Sequence, residues 1–168
     1  LGSGGFSVVF KAIRDTGEQV ALKLLKPGTA GDATARKRMI SAARAASAVE
    51  HPNLVRVLDF GFSGTSPFIA YEYVPGPDLG ELAAGADPPD ATAALRIASQ
   101  VLAALAALHA HGILHRDVKP ANVFIDRQGN AKLGDLGLAS AARWHAVRLI
   151  RLAGRRCRVN MAREPHRL

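Results

Sequence analysis

The chain has one cysteine, Cys157, so no internal disulfide can form and a small secreted disulfide scaffold is excluded. No charged segment followed by an apolar run stands at the start, so no secretory leader is legible. The most apolar stretch, Ala91 to Leu114, is interrupted by Arg96, Gln100, His109 and His111, which fits a core helix better than a membrane span. Aromatic residues make up only 5% of the 168 residues, so the core must be built on aliphatic side chains. Two local absences matter more. No acid occurs from Ala33 to Val49, and no Thr or Tyr follows Asp135.

What is present is a globular composition, 48% hydrophobic and 21% charged, long enough for one domain with a sizeable core. The formal charge of +8 would suggest a polyanionic partner if it were spread evenly. It is not spread evenly. Residues 141–168 hold eight Arg and a single acid, Glu164, and the first 140 residues are close to neutral. No nucleic-acid partner is therefore expected for the main body. Composition places a boundary near Ser140, with 1–140 as one domain and 141–168 as an Arg-rich tail.

Along the chain, "FSVVFKAI" and "EQVALKLL" are β-rich runs around the turn "RDTGE", which predicts an antiparallel hairpin. "KPGTAGD" reads as a loop. Ala33 to Val49 reads as an Ala-rich helix with four basic residues. "LVRVLDFGF" and "PFIAYEYV" read as strands. Ala91 to Ala110 reads as a long helix closed by Gly112. "NVFID" and "AKLGDL" read as a second short hairpin. This order predicts an α+β fold in two sub-lobes with no βαβ repeat.

Three motifs carry chemistry. In "LGSGGFSVVF" the glycines let backbone N–H groups come close to phosphate oxygens. Alone, the loop fits a plain hairpin turn equally well. A dinucleotide site would need a helix after the glycines, and a Walker loop would need Gly-Lys-Ser/Thr; neither is present. In "VALK", Ala21 and Lys23 share one strand face. A lysine inside an apolar strand is costly unless it meets an anion, although an edge lysine could snorkel. The third motif, "ILHRDVKPANVFI", decides between these readings. Asp117 can accept a hydroxyl proton, Lys119 can steady a transferring phosphoryl group and Asn122 can hold a metal. Asp135, in "GDLG", supplies a second hard-oxygen ligand for Mg2+. An exposed charged loop does not explain these residues in this order. His109, His111 and His115 also raise a metal-cluster reading. It is set aside because His115 belongs to the third motif and the other two end a helix, where histidine is favourable.

On these residues the chain resembles the eukaryotic-type protein kinases, most of all their bacterial Ser/Thr branch, over about residues 1–140. The resemblance implies a protein-kinase-like two-lobed fold. Its N-lobe, about 1–74, would be an antiparallel sheet plus one helix, and the start of a helical C-lobe would span about 79–140. It implies ATP and Mg2+ as cofactors and a protein substrate with a Ser or Thr acceptor. Leu1, Gly2, Ser3, Gly4, Gly5, Phe6 and Ser7 would form the phosphate-covering loop, with Ser7 where a third glycine usually stands. Val9 and Ala21 would sandwich the adenine, and Lys23 would hold the α- and β-phosphates. Tyr71 would be the gatekeeper, the backbones of Glu72 and Val74 would meet the adenine, Asp78 would reach the ribose and Phe124 would floor the pocket. Asp117 would be the catalytic base, assisted by Lys119 and Lys23, with Asn122 and Asp135 as metal ligands. A cytoplasmic setting is expected. Bacterial relatives commonly carry a membrane anchor beyond the kinase domain, which leaves open a parent anchored by a further C-terminal segment.

The pattern also breaks in places. The family's helix carries a Glu that pairs with the strand lysine, and counting from either side places Ala42 there. The helix thus offers Lys23 no carboxylate. Arg116 normally meets a phosphorylated residue, yet Ser140 is the single hydroxyl residue after Asp135 and lies too close to it. The family's Ala-Pro-Glu motif has at most a chance echo in "MARE". The helix Ala91–Ala110 is apolar nearly all round, so it is expected to seek burial on all sides and, without further helices, to leave the chain poorly stable. The chain reads as a piece of a longer protein.

Three readings compete for the tail "SAARWHAVRLIRLAGRRCRV". It could be a basic amphipathic helix carrying Trp144, Val147 and Ile150 and meeting an anionic partner, a divergent activation segment, or out-of-frame translation. The last accounts for the most features. The functional expectation is ATP-dependent Ser/Thr phosphorylation. The rivals are a non-catalytic, pseudokinase-like nucleotide-binding or interaction module and a small-molecule phosphotransferase, against which "HRDVKPAN" argues. Restoring the carboxylate with Ala42→Glu is expected to raise phosphoryl transfer in a radiolabel assay. No gain in a protein that binds ATP would overturn this placement of the helix.

Overall fold

A computed structural model of the chain describes residues 2–3, 7–135, 150–152 and 155–159. The elements in chain order are β1 (Gly2–Ser3), β2 (Ser7–Arg14), β3 (Gln19–Leu25), α1 (Pro27–Ala30), α2 (Ala33–Ser47), β4 (Val57–Ser63), β5 (Ser66–Glu72), α3 (Leu79–Ala84), α4 (Ala91–Ala110), β6 (Val123–Ile125), β7 (Ala131–Leu133), β8 (Ile150–Leu152) and β9 (Arg155–Val159), with a 3-10 turn at Pro120–Asn122. They divide into two compact units. One lies within Leu1–Ile40, Asp59–Tyr73 and Ser140–Leu168, the other within Ser41–Leu58 and Val74–Ala139.

The first unit is a sheet in the order β4-β5-β3-β2-β9-β8, with β1 also paired to β2. The predicted hairpin is β2–β3. Gly17 sits at φ +84° in its turn, where a glycine avoids steric cost. The turn is closed by Arg14 N–H to the Glu18 carbonyl at 2.9 Å and by an Arg14–Glu18 ion pair at 2.8 Å. Alternation sorts the two faces. Ala12, Val20, Leu22, Phe68 and Ala70 are linked by register on one face and are buried. Val9, Lys11, Ala21, Lys23, Ile69 and Tyr71 lie on the other.

Two expectations are corrected in this unit. The loop "KPGTAGD" contains α1, a single helical turn. Pro27 at its first position presets the helical φ and lacks the N–H that would go unpaired there. Of the three readings weighed for the tail, the amphipathic helix does not hold at Ile150–Leu152 or Arg155–Val159, which are strands. Val159, Arg158 and Cys157 pair with Ala12, Ile13 and Arg14. The edge of β2 offers ladder partners to an extended segment. Trp144 and Val147 lie outside the described residues.

The second unit is built on α4 and the β6–β7 hairpin. Asp90 caps α4 by accepting from the Ala93 N–H at 2.7 Å, and Gly112, at φ +69°, ends it. By length and composition alone α4 could cross a membrane, but its stripe Ile97, Ala104 and Leu108 packs with Val123, Ile125, Ala131 and Leu133 in one buried cluster. Each large side chain buried there contributes about 1.5–3 kcal/mol. Among the described residues Leu95 is 73% and Leu102 65% exposed, as expected of an all-round apolar helix that lacks further partner helices.

Polar side chains fix the helix to the hairpin. Gln100 accepts the Ala131 N–H at 2.7 Å and donates to Asn130 at 3.3 Å. Asp126 shapes the turn. Burial disfavours its charge, but the N–H groups of Asn130 and Gln128, the Asn130 amide and the nearby Lys132 together hold its carboxyl below the usual range. Residues 53–55 add a third backbone row: Leu133 N–H donates to the Asn53 carbonyl and Val55 N–H to the Leu133 carbonyl. Before α3 the chain passes so close to β6 that a Cβ on Gly76 would run into the carbonyl oxygen of Ile125. Gly76→Ala is therefore expected to cost about 1–3 kcal/mol, read as a lower denaturant midpoint. An unchanged midpoint would show that this crossing can yield.

Candidate active site

The sequence-predicted residues fall into two groups, one in each unit. In the first, Gly2 and Ser3 form β1, opposite Val9 and Val8. Leu1, Gly4, Gly5 and Phe6 lie outside the described residues. Ser7 opens β2 and is buried. Val9 pairs with Lys23 and Lys11 with Ala21, so Val9, Ala21 and Lys23 occupy one face, as the alternation of "VALK" suggested. Lys23 is 2% exposed, an unusual burial for an ammonium on a strand. Tyr71 stands opposite Ala21, and Glu72 opposite Val20 on the reverse face.

In the second unit Val74 is half-buried just beyond β5. Asp78 is the N-cap of α3. It accepts the Glu81 N–H at 2.9 Å, and Glu81 accepts the Asp78 N–H in return. Asp78 also forms a backbone bridge with Phe124, whose ring presses on Gly134. The residues Asp117, Lys119 and Asn122 converge. Lys119 donates to Asp117 Oδ2 at 2.7 Å. The Asn122 side-chain amide donates to the same oxygen at 3.0 Å and to the Asp117 carbonyl at 2.7 Å. Both side-chain bonds fall on Oδ2, so Oδ1 keeps its lone pairs for an incoming hydroxyl proton. The Lys119 hydrogen bond holds the Asp117 carboxyl below its ordinary range, and it stays ionised.

Asp135 is brought to this cluster through its neighbour. Gly134 donates its N–H to the Asn122 carbonyl at 2.8 Å, and its own carbonyl meets His115 Nε2 at 2.9 Å. Asn122 uses its amide nitrogen on Asp117, which leaves its Oδ1 to face a cation. With the Asp135 carboxylate that makes a pair of hard oxygen donors suited to Mg2+. Arg116 (φ +66°) and Asp135 (φ +58°) both adopt the left-handed backbone. This conformation is uncommon outside glycine, and its concentration in one site is typical of functional geometry. No sequence signal announced it.

His115 is 2% exposed, and burial pushes its imidazole below the ordinary range. The Gly134 carbonyl, Asp135 and Asp117 pull the other way but do not win. Nδ1 accepts the Asp117 N–H at 3.4 Å, so the neutral ring carries its proton on Nε2 and donates it to Gly134. The sequence analysis treated this histidine only as part of the motif. It is the residue that joins the Asp117 loop to the Asp135 strand end.

An ionised carboxylate held by a lysine and an amide, with a second carboxylate supplied through a glycine, is the arrangement of a phosphoryl-transfer enzyme. The protein kinase domain family matches residues 1–149, and the chain belongs to that family. Its curated relatives include the serine/threonine-protein kinases PrkC of Bacillus subtilis, 38% identical over 84% of this chain and 22% of that protein, and pkn2 of Myxococcus xanthus, 41% identical over 83% and 17%. Among solved structures, the PknI kinase domain of Mycobacterium tuberculosis superposes with a TM-score of 0.69 at 32% identity, covering 83% of this chain and 58% of that one. Rad53 residues 1–466 in complex with AMP-PNP gives a TM-score of 0.70 at 30% identity, over 81% and 36%. The chain thus spans about a fifth of the length of these curated relatives. The α+β, protein-kinase-like fold is as expected.

The lowered imidazole has a consequence for stability. The unfolded chain binds a proton at His115 near pH 6.5, while the folded chain resists it to lower pH. Stability from this group is complete above pH 6.5 and is lost as pH falls below it. His115→Gln is expected to flatten the unfolding free energy between pH 6.5 and 5 in denaturant titrations. An unchanged slope would assign the acid limb elsewhere.

Proposed function

We propose that this chain is the nucleotide-binding and catalytic portion of an ATP-dependent kinase that phosphorylates Ser or Thr residues of proteins. The observation that carries the reading is the convergence of Lys119 and Asn122 on one oxygen of Asp117. Asp117 accepts the substrate hydroxyl proton through its open oxygen as the hydroxyl oxygen bonds to the γ-phosphorus and the bond from that phosphorus to the bridging oxygen breaks, releasing ADP. Lys119, fixed on that carboxylate, lends its remaining donors to the phosphoryl oxygens. Asn122 and Asp135 would hold Mg2+, which when bound would neutralise charge on the phosphates. In the other unit Val9 and Ala21 present an apolar face to the base, Lys23 holds the α- and β-phosphates, and the Leu1–Ser7 loop covers them. Glu72, Val74, Asp78 and Phe124 complete the base and ribose contacts. Two related folds support this reading: one is named a kinase domain and the other is titled as a complex with AMP-PNP, an ATP analogue.

One observation favours a second reading. Ala42 stands on α2 where the family supplies a carboxylate, which would suit a module that binds nucleotide without transferring phosphate. One experiment tests both. Asp117→Asn is expected to lower transfer from radiolabelled ATP to a Ser/Thr-bearing protein by about 10²–10⁴-fold, with Mg·ATP affinity preserved. Wild-type chain that binds Mg·ATP but transfers nothing would establish the binding module instead.

A further inference from the structure

Two side chains that the catalytic reading leaves idle meet at a single buried residue of β7, Ala131. Its N–H donates to Gln100 Oε1 on α4 at 2.7 Å, and its carbonyl accepts from the Asn53 side-chain amide at 2.8 Å. Asn53 is fixed in turn. Its own N–H donates to His51 Nδ1 at 3.1 Å, and its carbonyl accepts the Leu133 N–H at 2.8 Å. What this clamp sets is the phase of the strand. In an antiparallel pair, successive residues turn their backbone groups alternately toward the partner strand and away from it. Ala131 and Leu133 turn theirs away from β6, to Gln100, Asn53 and Val55. Asn130 and Gly134 turn theirs toward the β6 side. The Asn130 carbonyl accepts the Asp126 N–H at 2.9 Å, and the Gly134 N–H donates to the Asn122 carbonyl at 2.8 Å. A slip of one residue exchanges the two sets. The Gly134 N–H then faces away from Asn122, and Asp135 leaves the Asp117 loop.

We infer that Asn53 and Gln100 are positioning residues for the metal-binding carboxylate of Asp135, because their grip on Ala131 sets the phase that carries Gly134 to Asn122. The inference rests on the metal-binding reading given above. Both residues act at a distance, since Asp135 stands four residues, about 13 Å of extended chain, past Ala131. β7 has three residues, and two short paired strands are marginal in water without further support. The support comes from outside the hairpin. Gln100 ties the phase to α4, and Asn53 ties it to the segment before β4. Removing a partner that orients a metal ligand from behind commonly weakens metal affinity by about 10–100-fold. Asn53 and Gln100 stand further back than such a partner, so the low end of that range applies. Their chemistry is opposite: Gln100 supplies an acceptor and Asn53 a donor.

The test uses the full 168-residue chain as wild type, Asn53→Asp, Gln100→Leu and Gln100→Glu. Amide hydrogen exchange is followed without ligand, and ATP affinity is measured with and without Mg2+, below the melting temperature of each variant. Asn53→Asp sets an acceptor against the Ala131 carbonyl, and Gln100→Leu removes the acceptor for its N–H. Each is expected to speed exchange of the Gly134 N–H about tenfold while the Ala104 N–H inside α4 keeps its wild-type rate. Each should also cut the gain in ATP affinity on adding Mg2+ about tenfold and leave the metal-free affinity as it was. Gln100→Glu keeps the acceptor and should match wild type in both readouts. If Asn53→Asp does not fold, Gln100→Leu and Gln100→Glu decide the matter between them. Unchanged Gly134 exchange, equal acceleration at Ala104, or equal losses with and without Mg2+ would overturn the proposal alone. A wild-type chain whose ATP affinity does not rise with Mg2+ would overturn the metal-binding reading and the proposal with it. Faster Gly134 exchange in the variants would then show the clamp to be structural only.

Discussion

Gly134 is held from both sides and has no room for a side chain. Its N–H is bonded to Asn122 and its carbonyl to His115. A Cβ there would press on the Phe124 ring at 2.9 Å and on Val55 at 3.0 Å. Through this one residue the loop carrying Asp117, Lys119 and Asn122 is registered against Asp135. The rest of the second unit supports that junction. The β6–β7 hairpin delivers Gly134, α4 buries the hairpin's apolar side, and Gln100 and Asp126 fix its ends. Geometry of this kind lets the Asp117 carboxylate, the Lys119 ammonium and the side-chain amide of Asn122 keep their places before any ligand arrives.

The first unit works by a different principle. Strand alternation alone separates an apolar face, which makes the core, from a face carrying Val9, Lys11, Ala21 and Lys23. Register does the positioning. A one-residue slip of β3 against β2 would send Lys23 into the core and Leu22 or Leu24 onto the opposite face. The β2–β3 turn, pinned by Gly17 and the Arg14–Glu18 pair, is therefore functionally relevant even though it lies far along the strands from Val9.

Much of this was legible in the sequence, because the signals were local. The helix Ala91–Ala110, its closing Gly112, the two hairpins and the faces of "VALK" follow from periodicity and turn chemistry over a few residues. The grouping of Asp117, Lys119 and Asn122 follows from their spacing. What was not legible depends on partners distant in the chain. The cation–π contact of Lys11 with Tyr73, 4.3 Å from ammonium to ring centre, needs the strand order β2-β3-β5. The left-handed backbone at Arg116 and Asp135 flanks the His115–Gly134–Asn122 junction, whose partners lie far apart in the chain. The strands at 150–152 and 155–159 were not legible because the edge of β2 that they extend is invisible to a local reading, and the amphipathic helix was only one of three readings of the tail.

That edge bears on how the protein behaves in company. A strand whose outer N–H and C=O groups are unpaired is a template for any other chain in extended form. β9 occupies the side of β2 facing away from β3, in line with β1, and β8 becomes the new border of the sheet. The backbone groups on that side of β2 that would template another chain are thus already used by β9, and among the described residues the border has moved to β8.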